Sequence, residues 1–438
     1  MAAPVCIIGT GYVGMACVIG LAELGFEVNG YDIQFDRIER LNAGITPYRE
    51  SGLEELLRKH LAGGRVNFFN TLDGATRDSE IIVIAVGTPS RDDGSADLSA
   101  LELVVSELST LHFLNRPTIV VRSTVPPGTC DRLAMRIEGF GDTLYAPEFL
   151  REGSAVGDFL NPDRIVIGCA NPMLAIRYAR LFEALHKPVV FTTRKNAELI
   201  KCFSNAFLAL KISFANEVAN ICDAVGAGAD DVLRGIGYDR RIGGDFLNPG
   251  IGFGGPCFEK DVKSMDHISS QLNTGSQLFS AILRVNEFQQ QRIVSIVEDE
   301  VGDLAGKEIG VWGLAFKAGT DDLRDSLALR IIGELGLRGA SVVAYDPAVR
   351  VAPLPSNCRM ATSPLEAAKC DALLVLTEWP EFAKIHPADY APHIRMSVII
   401  DGRNVLDAER VQGAGLRYRG VGRSENVFGS ETSIVVAR

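Results

Sequence analysis

The chain has 438 residues, 47% hydrophobic and 23% charged, enough for two or three domains with cores of their own and in a balance ordinary for a soluble globular protein. Its net charge of −11 argues against a nucleic-acid or anionic-membrane surface, but leaves open an anionic small ligand held by local lysines and arginines. No apolar run approaches the ~20 residues of a membrane span. Nine scattered cysteines without a CxxC pair, and six histidines without ligand spacing, indicate neither a disulfide framework nor a metal site.

Met-Ala-Ala-Pro passes directly into an apolar run, Val5–Ile8, that reads as a strand, so no signal peptide is expected. The run leads into Gly9-Thr-Gly11-Tyr12-Val13-Gly14, an apolar helix over 15–24, and a second strand over 26–31 that ends at Asp32. Strand, glycine turn, helix, strand and terminal acid form the dinucleotide fingerprint. The first glycine makes the turn, the second admits a pyrophosphate at the helix N-terminus, and the third lets helix pack on strand. Asp32 would accept the ribose hydroxyls and repel a 2′-phosphate, which points to NAD, with Arg37 the nearby cation that could soften the preference. The plainer alternative is a glycine turn without a cofactor.

Up to about residue 190, strands and helices alternate as in a parallel sheet. A strand over 81–86 ends in Gly87-Thr88-Pro89, and Thr118–Val121 ends in Arg122-Ser123-Thr124-Val-Pro-Pro-Gly128. Ligands gather at the carboxyl ends of such strands, so both turns belong beside the cofactor. Strands over 143–146 and 164–168 flank the segment Pro147-Glu148-Phe149-Leu150-Arg151-Glu152-Gly153. From 196 to 225 the spacing of Ala197, Ile200, Phe203, Phe207 and Leu210 predicts one long helix. Lys201 and Asn205 share a face of it, either lining a site between domains or simply solvated.

The next landmark is GFGGPCFEKD at 252–261. Glycine allows close approach of a ligand. Pro256 suits the first turn of a helix, which would place Cys257 where backbone N–H groups favour a thiolate. Lys260 and Asp261 follow within about one turn. The alternative is a buried structural cysteine. A helical region runs on to about 301. A second alternation then begins, with strands Glu308–Trp312 and Ser341–Tyr345 and others over 372–376 and 397–400, and helices Leu327–Leu337 and 363–368. It lacks GxGxxG. Lys317, Arg324 and Arg403 near its strand ends could hold an anion or be surface charges.

A nicotinamide site together with a reactive cysteine suggests cysteine-dependent oxidation of an alcohol through an aldehyde and a thioester to an acid. Cys257, Lys201, Asn205, Asp261, Thr124 and Glu148 are residue types suited to the nucleophile, the acid/base groups and the oxyanion stabilisers. Spacing alone does not select them.

GTGYVG, VGTP, STVPPGT, PEFLREG, ELIK with its following asparagine, GFGGPCFEKD, GLAFKAGTDDLRDS, TEW and DGRN occur in order along the chain. This sequence of motifs resembles the UDP-glucose/GDP-mannose dehydrogenase family, nearer its UDP-glucose branch. The resemblance implies a doubly wound α/β fold of two Rossmann-like domains joined by a long central helix: an NAD-binding domain over 1–195, a central helical dimerisation domain with the catalytic cysteine over 196–300, and a nucleotide-sugar domain over 301–438. It implies Cys257 as nucleophile, Lys201 and Asp261 as handlers of the 6-hydroxyl proton, Asn205 as oxyanion partner, Thr124 as water positioner and Glu148 as base for thioester hydrolysis. Glu148, Phe149, Leu150, Arg151, Glu152, Lys201, Asn205, Phe246, Asn248, Gly250, Gly254, Cys257, Phe258, Phe316, Lys317 and Arg403 would face the nucleotide sugar. Glu152, Lys260 and Arg324 would lie near the cofactor. Arg241 would reach the substrate of a partner subunit in a homodimer. The scattered cysteines, with no disulfide framework, point to a reducing, cytoplasmic compartment.

Pro256 departs from the small polar residue of many relatives, which puts the local hydrogen bonding of the thiol in question. The chain ends at Ser433-Ile-Val-Val-Ala-Arg438 without the long tail of some relatives, so tail-dependent regulation is not expected. Rival readings are the same chemistry on GDP-mannose, a TDP-hexose or a UDP-N-acetylhexosamine, a non-catalytic dinucleotide sensor, and a simple alcohol dehydrogenase that stops at the aldehyde.

Overall fold

The structure, a computed structural model, describes residues 3–350 and 353–423; the chain end over 433–438 lies outside them. The chain divides into two compact units, Met1–Ser204 and Asn205–Arg438.

The first unit is built on an eight-stranded sheet: β1 (Val5–Ile8), β2 (Val28–Tyr31), β3 (Val66–Phe69), β4 (Ile81–Ile84), β5 (Thr118–Val121), β6 (Asp142–Tyr145), β7 (Ile165–Gly168) and β8 (Val189–Thr192), in the order β3-β2-β1-β4-β5-β6-β7-β8. The sequence pattern predicts a parallel sheet, and all neighbours are parallel except β6 and β7, which meet antiparallel at Tyr145 and Gly168. Strands β1, β4 and β5 are buried along their whole length because helices cover both faces. Alternation along β1 sends Val5 and Ile7 into one core and Cys6 and Ile8 into the other. Helix α1 (Tyr12–Glu23) is buried from Gly14 to Ala22. Gly20 lets it close on the helix Ala155–Leu160, since a Cβ there would stand 2.0 Å from the Phe159 ring.

Helix α2 (Arg194–Val225), 32 residues long, begins in the first unit and continues in the second. The region read as one helical stretch after Cys257 is two helices, α3 (Phe258–Gln271) and α4 (Leu278–Val301). The break carries Asn273 and Gly275, both at positive φ, which the helical conformation cannot accommodate.

The second unit holds a six-stranded, fully parallel sheet: β9 (Glu308–Trp312), β10 (Ser341–Tyr345), β11 (Cys358–Met360), β12 (Ala372–Val375), β13 (Val398–Asp401) and β14 (Arg417–Gly420), in the order β11-β10-β9-β12-β13-β14. Ile309, Val311, Ala372 and Leu374 fill the core on one face, and Trp312, Leu373 and Val375 that on the other. Both sheets carry the strand order 3-2-1-4-5-6 of a doubly wound fold. Among the described residues no helix is long and apolar enough to cross a membrane.

Candidate active site

In the first unit the glycine turn has the shape the fingerprint requires. Gly9 sits at φ +92°, and its amide donates to the Tyr31 carbonyl at 2.8 Å. A Cβ at Gly14 would stand 1.8 Å from the Gly9 carbonyl oxygen, whereas one at Gly11 would meet nothing within 4 Å. The turn is therefore closed where helix meets strand and open where a pyrophosphate would approach, so these residues fit a dinucleotide. Val13 packs against the core behind them.

Asp32 follows β2 and is buried. Its Oδ2 accepts from the Thr10 amide, the Thr10 hydroxyl and Arg37 Nη1, each at 2.9 Å, and its Oδ1 accepts from the Gln34 amide at 3.0 Å. Burial by itself would raise its pKa. The Thr10 and Gln34 amides, the Arg37 charge and the Thr10 hydroxyl outweigh it and hold the carboxyl below its ordinary value.

Two residues that the sequence does not single out brace this region. Tyr48 donates to the Gly11 carbonyl at 3.0 Å and stacks on Tyr12 with ring centroids 3.8 Å apart. Glu50 accepts from the amides of Gly153 at 2.7 Å and Ala155 at 2.8 Å, so it anchors the segment after β6 from 103 residues away. Their partners are remote in sequence, and no local pattern announces them.

At the ends of β4 and β5 the two polar turns meet, with Thr88 Oγ1 donating to the Thr124 carbonyl at 2.7 Å and Ser123 Oγ to the Val86 carbonyl at 2.6 Å. Gly87 and Pro89 are exposed beside them. Glu198 on α2, fully buried, accepts from the amides of Gly128 and Cys130 and fixes the end of the 122–128 turn.

Glu148 and Lys201 form a buried ion pair at 3.0 Å, and Glu148 Oε2 accepts from the Leu150 amide at 2.6 Å. Burial would raise the Glu148 pKa. Lys201 above all, then the Leu150 amide and the Arg122 charge, bring it below the usual carboxylate range. The carboxyl is thus held ionised. Phe149 lies under two cations, Arg164 at 3.6 Å and Lys201 at 5.4 Å from its ring centroid. Leu150 packs into the core, and Arg151 turns to Asp158 in an exposed ion pair.

In the second unit, Cys257 is exposed and occupies the N-cap of α3. Pro256 precedes the helix rather than opening it, a shift of two residues from the sequence reading. Of the nine cysteines this alone is exposed, which is at odds with a buried structural cysteine. One turn on, buried Asp261 accepts from Asn205 Nδ2 at 2.5 Å on one oxygen and pairs with Lys260 on the other. Lys201 and Asn205, four residues apart on α2, are both buried rather than solvated, Lys201 on Glu148 and Asn205 on Asp261.

The glycines before the cysteine are wedged. A Cβ at Gly254 would stand 2.7 Å from the Asp325 carbonyl oxygen, and one at Gly255 2.6 Å from the Phe316 ring. Phe258 lies between Phe246 and Phe253, at 6.3 and 6.1 Å between centroids. Arg403 donates to the Leu376 carbonyl at 3.0 Å and the Gly252 carbonyl at 3.1 Å. Asn248 is exposed and Gly250 buried, and Lys317 Nζ lies 5.6 Å from the Phe316 centroid. Arg324 forms an ion pair with Asp322, and exposed Arg241 with Asp239. Among the described residues no cluster of His, Cys, Asp or Glu is placed to hold a metal.

Three family models match the chain: the NAD-binding domain of the UDP-glucose/GDP-mannose dehydrogenase family over residues 3–188, its central domain over 195–288 and its UDP-binding domain over 310–408. The chain is 39% identical to the UDP-glucose 6-dehydrogenase YwqF of Bacillus subtilis, covering 95% of this chain and 97% of that one. It is 38% identical to a UDP-glucose 6-dehydrogenase of Rhizobium meliloti, covering 96% and 99%. Among solved structures, a UDP-glucose dehydrogenase of Pyrobaculum islandicum superposes with a TM-score of 0.88 at 35% identity, covering 96% of this chain and 98% of that one.

Proposed function

Because the chain belongs to the UDP-glucose/GDP-mannose dehydrogenase family, we propose that it oxidises the C6 hydroxyl of UDP-glucose to the carboxylate of UDP-glucuronate, with NAD as electron acceptor. The observation that carries this reading is the exposed Cys257 at the start of α3, one turn before the buried Asp261–Asn205 pair. A dehydrogenase that stops at the aldehyde has no use for such a thiol.

In this reading the residues over 1–195 hold NAD, those over 196–300 carry the nucleophile and those over 301–438 hold the nucleotide sugar. Bound NAD supplies a two-electron acceptor, and two molecules are consumed per sugar. Gly9, Gly11 and Gly14 would seat its pyrophosphate and Asp32 its ribose. Asp261 and Lys201 take the proton of the 6-hydroxyl as C6 loses one hydrogen together with two electrons and the alcohol becomes an aldehyde. Cys257 Sγ bonds to the aldehyde carbon, and Lys201 and Asn205 stabilise the oxygen of the resulting thiohemiacetal. Loss of two further electrons and a proton leaves a thioester. Glu148, held ionised, accepts a proton from water, which breaks the carbon–sulfur bond, releases the acid and restores the thiol.

The test is NADH absorbance at saturating NAD with limiting sugar. Two NADH per UDP-glucose are expected, with little from GDP-mannose or TDP-glucose. One per sugar would remove the thioester half of the reaction. Two from another sugar alone would keep the mechanism and move the base preference.

The same reading makes the protein a cytoplasmic homodimer in which Arg241 reaches the partner's substrate. Its support is the exposed apolar stripe of Phe207, Phe214, Ile221 and Val225, which recur on α2 at spacings of seven, seven and four. Phe214→Asp and Ile221→Asp are each expected to reduce the sedimenting mass to that of one chain. A dimer surviving both changes would place the interface elsewhere.

A further inference from the structure

The nucleophile is delivered by a stretch of chain with no secondary structure of its own, 250–257, and two of its residues, Gly250 and Phe253, are bonded at both N–H and carbonyl. The partners are side-chain amides from two helices. Asn286 on α4 places both ends of its amide on one residue: Oδ1 accepts from the Phe253 N–H at 2.8 Å and Nδ2 donates to the Phe253 carbonyl at 2.9 Å. Three residues along the same helix, Gln289 Nε2 donates to the Gly250 carbonyl at 2.8 Å, and Asn216 Oδ1 on α2 accepts from the Gly250 N–H at 2.8 Å. All three amides are buried, Asn286 to 3% exposure and Gln289 and Asn216 completely. Between them they satisfy the N–H and carbonyl of residues 250 and 253.

Little play separates this grip from the thiol. Gly252, at φ +105°, lies so close to the clamp that a Cβ would stand 2.4 Å from Asn286 Oδ1. Gly255 donates its amide to the Asp325 carbonyl at 3.2 Å. Gly254 and Gly255 are both in close contact on the sides where a Cβ would project, and Pro256 fixes one more backbone angle before Cys257. The Phe253 side chain is buried in a small core with Ala206, Ala209, Val262 and Ile282. The buried amide of Asn286 thus sets the position of Phe253, and the four residues beyond it carry that position to the sulfur.

We infer that Asn286 is a positioning residue for the nucleophile, with Gln289 and Asn216 completing the clamp, and that it serves the thiol-dependent half of the reaction rather than the first oxidation. The inference rests on the cysteine mechanism proposed above. Asn286 touches neither substrate nor cofactor in that mechanism and acts only through the loop. A misplacement near 1 Å at a reacting atom costs about 10²-fold in rate. Asn286→Ala removes both hydrogen bonds, and Asn286→Asp keeps the shape while losing the donor to the Phe253 carbonyl.

The experiment measures NADH formed per limiting UDP-glucose in the full-length protein at saturating NAD, with hydroxylamine present to trap escaping aldehyde. Cys257→Ala is run as the benchmark and NAD affinity as the check on the first unit. With NAD affinity unchanged, Asn286→Ala and Asn286→Asp are expected to yield fewer than two NADH per sugar and to release trapped aldehyde, with acid formation slowed about 10²-fold. A variant that merely folds less well loses both halves together and still yields two NADH from the folded fraction, and that outcome overturns the inference. Wild-type rates and stoichiometry in both Asn286 variants overturn it as well. If Cys257→Ala itself still yields two NADH, the cysteine mechanism is what has failed, and the two failures are told apart.

Discussion

In both sheets the glycine after the first strand donates its amide to the last residue of the second strand, Gly9 to Tyr31 and Gly313 to Tyr345, each at 2.8 Å and at nearly the same φ, +92° and +98°. An aspartate follows each second strand. What comes after the glycine differs. In the first unit α1 begins at Tyr12, and the chain beside the turn is open at Gly11. In the second, thirteen residues intervene before the helix Leu327–Leu337, and buried Leu314 and Ala315 stand where the first unit is open. Asp346 spends its carboxylate on that excursion: Oδ2 accepts from the amides of Leu314 and Ala315 and from the Trp379 indole, and Oδ1 from Ala348 and Val349. Asp32 has a single donor on Oδ1 and so keeps room for a ribose hydroxyl. Strand order alone therefore does not make a dinucleotide site. The length of chain between glycine and helix does.

The sharpest way to break this contrast is to fill equivalent glycines. Gly14→Ala places a Cβ 1.8 Å from the Gly9 oxygen and is expected to weaken NAD binding by about 10³-fold, read by calorimetry. Gly313→Ala, whose Cβ would stand 2.4 Å from Thr377, is expected to destabilise the second unit by about 3 kcal/mol without changing NAD affinity. An equal loss of NAD binding in both variants would end the distinction.

A smaller effect separates two buried carboxylates by pH. Glu148 has a folded pKa below its ordinary 4.5, so its stabilising contribution is present above that value and is lost as pH falls through the lower folded one. Glu148→Gln is expected to cost about 3 kcal/mol near neutrality by removing the buried counter-charge of Lys201, with the urea midpoints of variant and wild type converging below pH 4.5. In Asp401 of the second unit, burial outweighs the Leu406 and Arg403 amides and the Tyr418 hydroxyl and raises the pKa above 3.8. Its contribution is full below that value and is lost as pH rises through the folded pKa. The gap between Asp401→Asn and wild type should therefore narrow as pH rises, the reverse of Glu148→Gln. Matching slopes would contradict the assignment.

The least effect is expected on cofactor choice. Asp32→Asn removes the charge facing a 2′-phosphate and leaves Arg37 in place, so the ratio of NADP to NAD turnover should rise about tenfold. Asp346→Asn should leave the ratio unchanged, and an unaltered ratio in Asp32→Asn would take the ribose away from that residue.

Ten of the fourteen strands are legible in the sequence, and the four that are not, β3, β8, β11 and β14, are the edges of the two sheets. Central strands such as β4 and β12 are covered on both faces and read as unbroken apolar runs. Val189–Thr192 is buried at no position despite its short Val-Val-Phe run, and Arg417–Gly420 carries two arginines and is buried only at Gly420, so neither reads as a strand covered on both faces. The site divides the same way. Gly9, Asp32, Cys257 and Asp261 belong to contiguous motifs whose chemistry is local. Tyr48, Glu50, Asn286 and Gln289 work through contacts dozens of residues away, and as isolated polar residues they look like any surface position.

The uneven exposure of the cysteines gives the protein a single chemical address. Six of the nine are buried and two half-buried, and burial pushes several thiols well out of the reactive range, Cys358 to about 11 and Cys370 to about 12. Cys257 alone is exposed. A soft electrophile such as iodoacetamide, given in slight excess near neutrality, should therefore label each folded chain once. On the proposed mechanism the label would count competent active sites in any preparation, and mild oxidants would silence the enzyme at that same atom first.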